Sequence, residues 1–272
     1  MPQAPLPDSP ADAPTRPVAL VTGGGTGIGA ASGRRLARAG FDVVVGGRRA
    51  DRLEAAVAEI GPAARAVILD VTDPGSVAAA VAGLDRLDVL VNNAGGALGL
   101  DRVEAADLAQ WETMFATNVV GAVRMVQACL PLLRRSAYAI VVDISSTAGQ
   151  IVYEGGAGYC AAKHGTSVVS EALRLELAGE HIRVCDLRPG MVRTDEFALT
   201  RFQGDRAAAD KVYADVDHPL TADDVAACVE FVVSLPQHVN IDAMVIKPVA
   251  QAAQHKVHRA PIDWQGGRPP RP

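Results

Sequence analysis

Residues 18–29 read VALVTGGGTGIG, an apolar run of strand length that passes into a glycine-rich turn. Glycine lets the backbone turn tightly and come close to a pyrophosphate, and a helix that follows would point free N–H groups at that anion. The turn therefore predicts a dinucleotide site. Its Gly23-x3-Gly27-x-Gly29 spacing differs from the common G-x-G-x-x-G, so a plain tight turn is the alternative. The residues expected to contact the dinucleotide here are Gly23, Gly25, Thr26, Gly27 and Ile28.

Short runs rich in Val and Ile alternate with helical patterns along most of the chain. Strands are predicted at 18–21, 42–46, 66–69, 89–91, 139–143, 183–187 and 243–246, and helices at 28–39, 50–60, 75–82, 108–133, 157–177 and 222–234. Apolar runs without alternation are typical of strands buried on both faces of a parallel sheet. The pattern predicts an α/β fold with a doubly wound parallel sheet and helices on both faces.

One domain at 17–250 accounts for this pattern. Residues 1–16 are rich in Pro, Ala and Asp and lack the apolar region of a signal peptide, so a flexible N-terminal extension is expected. Residues 251–272 are expected to form a C-terminal tail. No run approaches the roughly 18–20 apolar residues of a membrane span, and a cytoplasmic location is expected.

Composition and residue spacing argue against several classes of partner, and a small-molecule substrate is expected. The formal net charge is −5 and no basic stripe is present, so a nucleic-acid partner is not expected. The six histidines lack metal-binding spacing, and the four cysteines are scattered without a CxxC pair, so neither a metal site nor a disulfide framework is expected.

The end of the second predicted strand indicates which dinucleotide binds. An NAD enzyme places a carboxylate there for the ribose 2′-hydroxyl, whereas this chain has Gly-Gly-Arg-Arg at 46–49. The guanidinium groups of Arg48 and Arg49 suit a 2′-phosphate, which they can bind bidentately. We therefore expect NADP. Two solvated arginines at a helix start are the alternative, although a helix start favours acidic residues.

Tyr159 and Lys163 lie four residues apart on a predicted helix and so share one face. Ser146 follows the fifth predicted strand and reaches the carboxyl edge of the sheet, where ligands of open α/β sheets bind. A phenol has a reference pKa of about 10, which a nearby ammonium would lower toward neutrality. Tyr159 can then act as the acid–base group while Ser146 positions the substrate oxygen and Lys163 holds ribose hydroxyls. Asn118 is either a helix-surface residue or part of a proton relay.

Together these motifs resemble the short-chain dehydrogenases/reductases. The matching segments are TGGGTGIG (22–29), DV (70–71), NNAG (92–95), Asn118, Ser146, YCAAK (159–163) and PGMVRT (189–194). The resemblance implies a Rossmann fold, contacts of Asp70 and Val71 with adenine, and catalytic roles for Ser146, Tyr159, Lys163 and Asn118. It also implies further cofactor contacts from Asn93, Ala94, Gly95, Pro189, Gly190, Val192 and Thr194, with Tyr159 and Lys163.

Other segments, such as TDEFALTRFQGD at 194–205, resemble the NADP-dependent 3-hydroxy acid (serine-type) dehydrogenases. That resemblance implies oxidation of L-serine and 3-hydroxy acids, and a homotetramer through the helices carrying Asn118 and Tyr159. The substrate loop would span about 191–219. Its Arg193 and Arg201 are candidates to bind a carboxylate beside Ser146, and Arg188, just before the loop, is a weaker candidate. In this group an acid is expected at position 188.

Two alternatives remain at the sequence level. A reductase of a bulkier ketone or aldehyde would have an open apolar cleft at residues 197–216, whereas a hydroxy acid enzyme would have a small pocket with an inward arginine. A non-catalytic NADP-binding sensor would keep the glycine-rich turn but would not need the four catalytic residues together.

Overall fold

The computed structural model describes residues 16–194 and 196–264. The strands in chain order are β1 (Val18–Thr22), β2 (Asp42–Gly47), β3 (Ala64–Ile68), β4 (Val89–Asn92), β5 (Ile140–Ile144), β6 (Arg183–Pro189), β7 (Val192–Arg193), β8 (Leu220–Thr221), β9 (Ala243–Ile246), β10 (Gln251–Ala253) and β11 (Lys256–Val257). The α-helices are α1 (Gly27–Arg38), α2 (Ala50–Ile60), α3 (Pro74–Ala82), α4 (Leu108–Phe115), α5 (Gly121–Leu133), α6 (Ala157–Glu176), α7 (Phe197–Arg201), α8 (Arg206–Tyr213) and α9 (Ala222–Val233).

Within the described residues, seven parallel strands form the main sheet in the order β3-β2-β1-β4-β5-β6-β9. This confirms the predicted doubly wound sheet. The chain leaves β1 toward β2 on one side and later returns to β4 on the other. Such a reversal opens a crevice beyond the carboxyl ends of the strands, and the predicted site residues lie there.

Neighbouring residues of each central strand pack into different layers. Leu20 of β1 belongs to the apolar layer formed with α3 and α5, whereas Val21 belongs to the layer formed with α1 and α9. Leu90 and Val91 of β4 divide between the two layers in the same way. Both faces of each of these strands are therefore buried against apolar side chains, which explains why the strand sequences are continuous apolar runs.

Local signals set the helix starts. Asp73 caps α3 by accepting a hydrogen bond from the Gly75 N–H at 2.9 Å, and Pro74 occupies the first turn. Thr221 and Asp224 form a reciprocal capping box at the start of α9. The predicted single helix at 108–133 is continuous, but its middle, Ala116–Val120, is π-helical. The stretch Leu108–Leu133 has the length and composition of a membrane span, although half of its apolar window is buried inside the protein.

The chain ends differ in part from the expected boundaries. Arg16, assigned to a flexible extension, donates to the Gly40 and Phe41 carbonyl groups at 3.0 and 2.9 Å; the rest of that extension lies outside the described residues. The segment expected to be a tail begins instead with the β10–β11 hairpin, whose buried Gln251 side chain accepts from the Met191 N–H at 2.7 Å. Residues 265–272 lie outside the described part.

Candidate active site

The glycine-rich turn between β1 and α1 is held in shape by Asn93. The Asn93 amide donates to the Thr22 carbonyl at 2.9 Å, and the Thr22 hydroxyl accepts from the backbone N–H groups of Asn93 and Ala94, each at 2.9 Å. Gly23 has a φ of +62°, and a Cβ at Gly29 would collide with the Gly23 carbonyl oxygen. Only glycine permits this close crossing of the two backbone segments.

The start of α1 fits an anionic group. Its first turn, Gly27-Ile-Gly-Ala, carries no acidic side chain, and the Thr26 hydroxyl donates to the Glu196 carboxylate rather than capping the helix. The helix N–H groups and the positive end of its dipole thus face the cleft. This is the arrangement that a dinucleotide pyrophosphate requires.

A cleft of about 590 Å³ runs along the carboxyl edge of the sheet. This volume suits a cofactor and a small substrate. It is lined by the sequence-predicted cofactor residues Gly23, Gly25, Thr26, Gly27, Ile28, Arg48, Arg49, Asp70, Val71, Asn93, Ala94, Gly95, Tyr159, Lys163, Pro189, Gly190, Val192 and Thr194.

The arginines predicted to bind a 2′-phosphate lie at the end of this cleft formed by β2 and the start of α2. Arg49 is the residue before α2, and its guanidinium bonds both carboxylate oxygens of Glu196, at 3.1 and 2.5 Å. Hydrogen bonding to Arg49 holds the pKa of Glu196 below its usual value. Asp70 turns its carboxylate toward the Thr72 N–H and hydroxyl, at 2.9 and 2.7 Å.

Ser146, Tyr159 and Lys163 meet at the other end of the cleft. Ser146 begins a 3₁₀ turn, Thr147–Gly149, and its hydroxyl accepts from the Ala148 N–H at 3.1 Å. The Lys163 Nζ atom lies 5.9 Å from the centre of the Tyr159 ring and donates to the Ile144 carbonyl at 2.8 Å. All three residues are buried.

Burial moves the pKa of Tyr159 upward, because a low-dielectric environment disfavours the phenolate, and a hydrogen bond with Ser146 opposes this only in part. The sequence-based expectation that Lys163 lowers this pKa is therefore not met in the protein alone. Burial also lowers the pKa of Lys163 to about 8, although the carboxylates of Asp186 and Asp143 oppose that shift.

These two carboxylates belong to a buried polar network behind Lys163. Asp143 accepts from the Asn92 amide at 2.8 Å and the Ser170 hydroxyl at 2.6 Å, and burial raises its pKa to about 6. Asp186 accepts from the Ser145 hydroxyl and from Arg188 Nε. Arg188, a weaker sequence candidate for substrate binding, is thus buried in an ion pair with Asp186 and does not line the cleft.

Asn118 lies in the π-helical turn rather than on the cleft wall. Its amide group donates to the Gly96 and Met114 carbonyls at 3.1 and 2.7 Å, and its oxygen accepts from the Gly96 N–H at 3.2 Å. Its own carbonyl accepts from the Thr166 hydroxyl of α6 at 3.0 Å. The π-turn therefore holds Asn118 against the strand-end loop that carries Gly95, close to Lys163.

Arg201 is the inward arginine of the substrate loop. Its guanidinium carbon lies 5.7 Å from the centre of the Tyr159 ring and 5.4 Å from that of Tyr153, and Nε donates to the Gly99 carbonyl at 3.2 Å. The buried Nη2 atom has no hydrogen-bond partner within residues 16–194 and 196–264. Arg193 instead is exposed, stacks over the Tyr213 ring at 5.8 Å and does not line the cleft.

Several cleft residues escaped the sequence analysis. Tyr153 and Phe197 flank Tyr159, and Gln251 and Gln254 reach the cleft from the C-terminal hairpin. Gln254 Nε2 donates to the Thr147 hydroxyl at 2.7 Å, one residue beyond Ser146. No local motif marks these positions, because they enter the site only through the fold of the loop and hairpin.

The comparisons agree with this geometry. The model of the short chain dehydrogenase family matches residues 17–203. A serine 3-dehydrogenase of Agrobacterium fabrum is 40% identical over 245 residues, covering 88% of this chain and 97% of that protein. An NADP-dependent 3-hydroxy acid dehydrogenase of Salmonella typhi is 39% identical over 248 residues, covering 89% of this chain and 100% of that protein.

Among solved structures, the closed form of a serine dehydrogenase complexed with NADP+ superposes with a TM-score of 0.84 at 38% identity, over 87% of this chain and 96% of that one. This chain belongs to the short-chain dehydrogenase family.

Proposed function

We propose that this oxidoreductase transfers a hydride between NADP(H) and a small 3-hydroxy acid or its semialdehyde. The proposal depends above all on the buried Nη2 atom of Arg201, which lacks a hydrogen-bond partner among the described residues and lies beside Tyr159. A buried guanidinium nitrogen without a partner is costly, and a substrate carboxylate would satisfy it with a charge-assisted hydrogen bond. The two relatives named for serine and 3-hydroxy acids support the same substrate class.

NADP(H) is the cofactor. Arg48 and Arg49 line the adenine end of the cleft, and their guanidinium groups suit a 2′-phosphate. The uncapped start of α1 suits the pyrophosphate. The solved serine dehydrogenase with NADP+ and the NADP-dependent relative agree with this choice. The Tyr159 and Lys163 side chains lie at the opposite end, where the nicotinamide ring would reach them.

Bound NADPH supplies the hydride. In the reductive direction Tyr159 donates its phenolic proton to the carbonyl oxygen, and the raised pKa keeps that proton available at neutral pH. Ser146 donates a hydrogen bond to the same oxygen and thereby positions it. Lys163 would hold the ribose hydroxyls of the bound cofactor, and Asn118 keeps the Gly95–Gly96 loop in place beside Lys163.

A substrate panel tests the proposal. NADPH consumption and formation are measured with serine, other 3-hydroxy acids, their semialdehydes, neutral alcohols and bulky ketones. We expect the highest kcat/KM with a hydroxy acid pair, and Tyr159→Phe should remove turnover while NADPH binding, followed by fluorescence, persists. A bulky neutral ketone as the best substrate would contradict the proposal.

Arg201→Met isolates the carboxylate contact, since methionine keeps much of the apolar stem. We expect KM for a hydroxy acid to rise about tenfold or more, the size of a lost hydrogen bond to a charged group, with little change for a neutral alcohol. Arg193→Met is the comparison, because that exposed side chain stacks on Tyr213 outside the cleft lining. Equal effects of Arg201→Met on both substrates would remove the carboxylate role.

We further infer a cytoplasmic homotetramer assembled through the helices that carry Asn118 and Tyr159. Large apolar side chains on these helices are exposed in the single chain, among them Leu108, Phe115, Val168 and Leu175. Such a surface favours burial against another subunit. The free cysteines and the intracellular pool of NADP(H) support the location.

A further inference from the structure

Glu196 links the substrate loop to the nucleotide end of the cleft. It precedes α7, which carries Phe197 and Arg201 on the substrate side. Its carboxylate nevertheless reaches the glycine-rich turn, where it accepts from the Thr26 hydroxyl at 3.1 Å. It also bonds Arg49 through both oxygens and lies 3.7 Å from Arg52.

The Glu196 carboxylate binds the Arg49 N–H groups that are proposed to bind the 2′-phosphate of the cofactor. The Nη1 and Nη2 atoms of Arg49 both face Glu196, in the bidentate geometry that the guanidinium fork offers to a phosphate or a carboxylate. A 2′-phosphate that binds Arg49 in the same way must take at least one of these N–H groups from Glu196. The phosphate and the carboxylate, both negative, would also repel each other at this distance.

We propose that Glu196 is an internal competitor for the 2′-phosphate site and thereby sets how strongly the enzyme prefers NADP(H) to NAD(H). The inference depends on the proposed role of Arg49 as a phosphate ligand. NAD(H) has a hydroxyl at the 2′ position and does not need the Arg49 fork, so the competition weakens NADP(H) binding selectively. Glu196 is thus a specificity-determining residue supplied by the substrate loop. In NAD enzymes the carboxylate that sets cofactor preference instead lies at the end of the second strand, far from this position in sequence.

The competition has a moderate size. The Glu196 side chain is 29% exposed and that of Arg49 is 54% exposed, so solvent screens the pair. A partly exposed ion pair of this kind alters a binding constant by about three- to fivefold. That range is measurable by titration and too small to abolish cofactor binding.

Glu196→Gln in the full chain tests the inference, with NADPH and NADH dissociation constants measured by cofactor fluorescence in the absence of substrate. Glutamine keeps the length and the hydrogen bond to Thr26 but removes the charge. We expect the Kd for NADPH to fall about three- to fivefold more than the Kd for NADH, since NADH gains only from weaker repulsion of the pyrophosphate that both cofactors share. Weaker NADPH binding in the variant would mean that the Glu196 carboxylate stabilises the bound nucleotide. An unchanged ratio of the two dissociation constants would mean that Glu196 does not compete with the 2′-phosphate. Either result overturns the inference.

Two further variants separate the possible failures. Glu180→Gln breaks a remote surface pair with Arg134 and should leave both constants unchanged. Arg49→Gln should weaken NADPH and not NADH; if it does not, the proposed phosphate role of Arg49 fails. If Arg49→Gln behaves as expected while Glu196→Gln leaves the ratio alone, the proposed cofactor site stands and only the competition by Glu196 is refuted.

Discussion

At the scale of single residues, burial shifts the two central titratable groups in opposite directions. Tyr159 and Lys163 are both buried, and a low-dielectric environment disfavours the charged form of each, so the pKa of the phenol rises and that of the ammonium falls to about 8. The negative charges of Asp143 and Asp186 keep the pKa of Lys163 from falling further. The site thus holds a proton on Tyr159 at neutral pH and maintains the Lys163 charge with buried carboxylates.

The alkaline pH dependence follows from Lys163. Because its pKa in the folded protein is lowered to about 8, the ammonium is present below that value and is lost as pH rises through it. Reductive kcat/KM should therefore be level near neutrality and fall above pH 8 with the slope of one proton. Initial rates of NADPH oxidation at saturating cofactor measure this profile.

Asp143→Asn provides the test of that assignment. The asparagine oxygen can still accept from the Asn92 amide, and its NH2 group can donate to the Ser170 hydroxyl, which already donates to the Thr166 carbonyl. The substitution removes a negative charge that raises the pKa of Lys163. The fall of reductive kcat/KM at alkaline pH should consequently move to lower pH. Circular dichroism should show that the variant keeps the wild-type fold. A fall that stays at the same pH would show that Lys163 is not the group that titrates.

At the scale of secondary structure, the sequence predicts the sheet strands well and local detail less well. Val18–Thr22 is recognisable because both of its faces are buried, and Asp73-Pro74 marks the start of α3 by its own chemistry. The π-turn at Ala116–Val120 is not predictable in this way, since the neighbouring α6 contributes the Thr166 bond to Asn118.

The catalytic motif and the glycine-rich turn were recognisable because their residues are close in sequence. Glu196 and Gln251 were missed since each acts through a partner distant in the chain, Arg49 and Met191 respectively. Arg193 and Arg201 looked equivalent in sequence, and only the path of the substrate loop turns one outward and the other toward Tyr159.

The C-terminal strap, defined here as residues 259–264, packs on the substrate loop. Arg259 donates to the Ala214 and Val212 carbonyls at 2.5 and 3.2 Å, at the C-terminal end of α8, which brings Tyr213 to the cleft. Asp217 accepts from the Ile262 N–H at 2.8 Å and from the Trp264 indole at 2.9 Å. The strap therefore restrains the end of α8 from outside the cleft.

Arg259→Ala should loosen this restraint. Losing the two bonds should raise KM for the hydroxy acid roughly two- to fivefold, because the cleft wall formed by α8 becomes less well positioned. The Kd for NADPH should not change, since the strap does not reach the nucleotide end. Arg135→Ala, which removes a similar bond to the Asp85 carbonyl, is the control. An unchanged KM in Arg259→Ala would show that the strap does not restrain the loop.

At the scale of the whole molecule, the helices that position the proposed catalytic residues also expose several large apolar side chains. One side of α4, α5 and α6 packs toward the sheet, and the other exposes Phe115, Val168 and Leu175 to solvent. Exposed apolar side chains of this size on the same helices favour burial against another subunit. The proposed subunit contact would bury them and would hold Asn118 and Tyr159 in a more rigid framework.

Phe115→Glu combined with Val168→Glu should break this contact, because assembly would bury unpaired charges. The wild-type protein should have four times the mass of the chain by light scattering, and the variant a smaller mass with the same circular dichroism. Ala79→Glu, which adds the same charge to the exposed face of α3, should leave the assembly intact. If the isolated wild-type protein is already a monomer, or if the variant keeps the wild-type mass, these helices do not form the interface and another surface must account for the exposed apolar side chains.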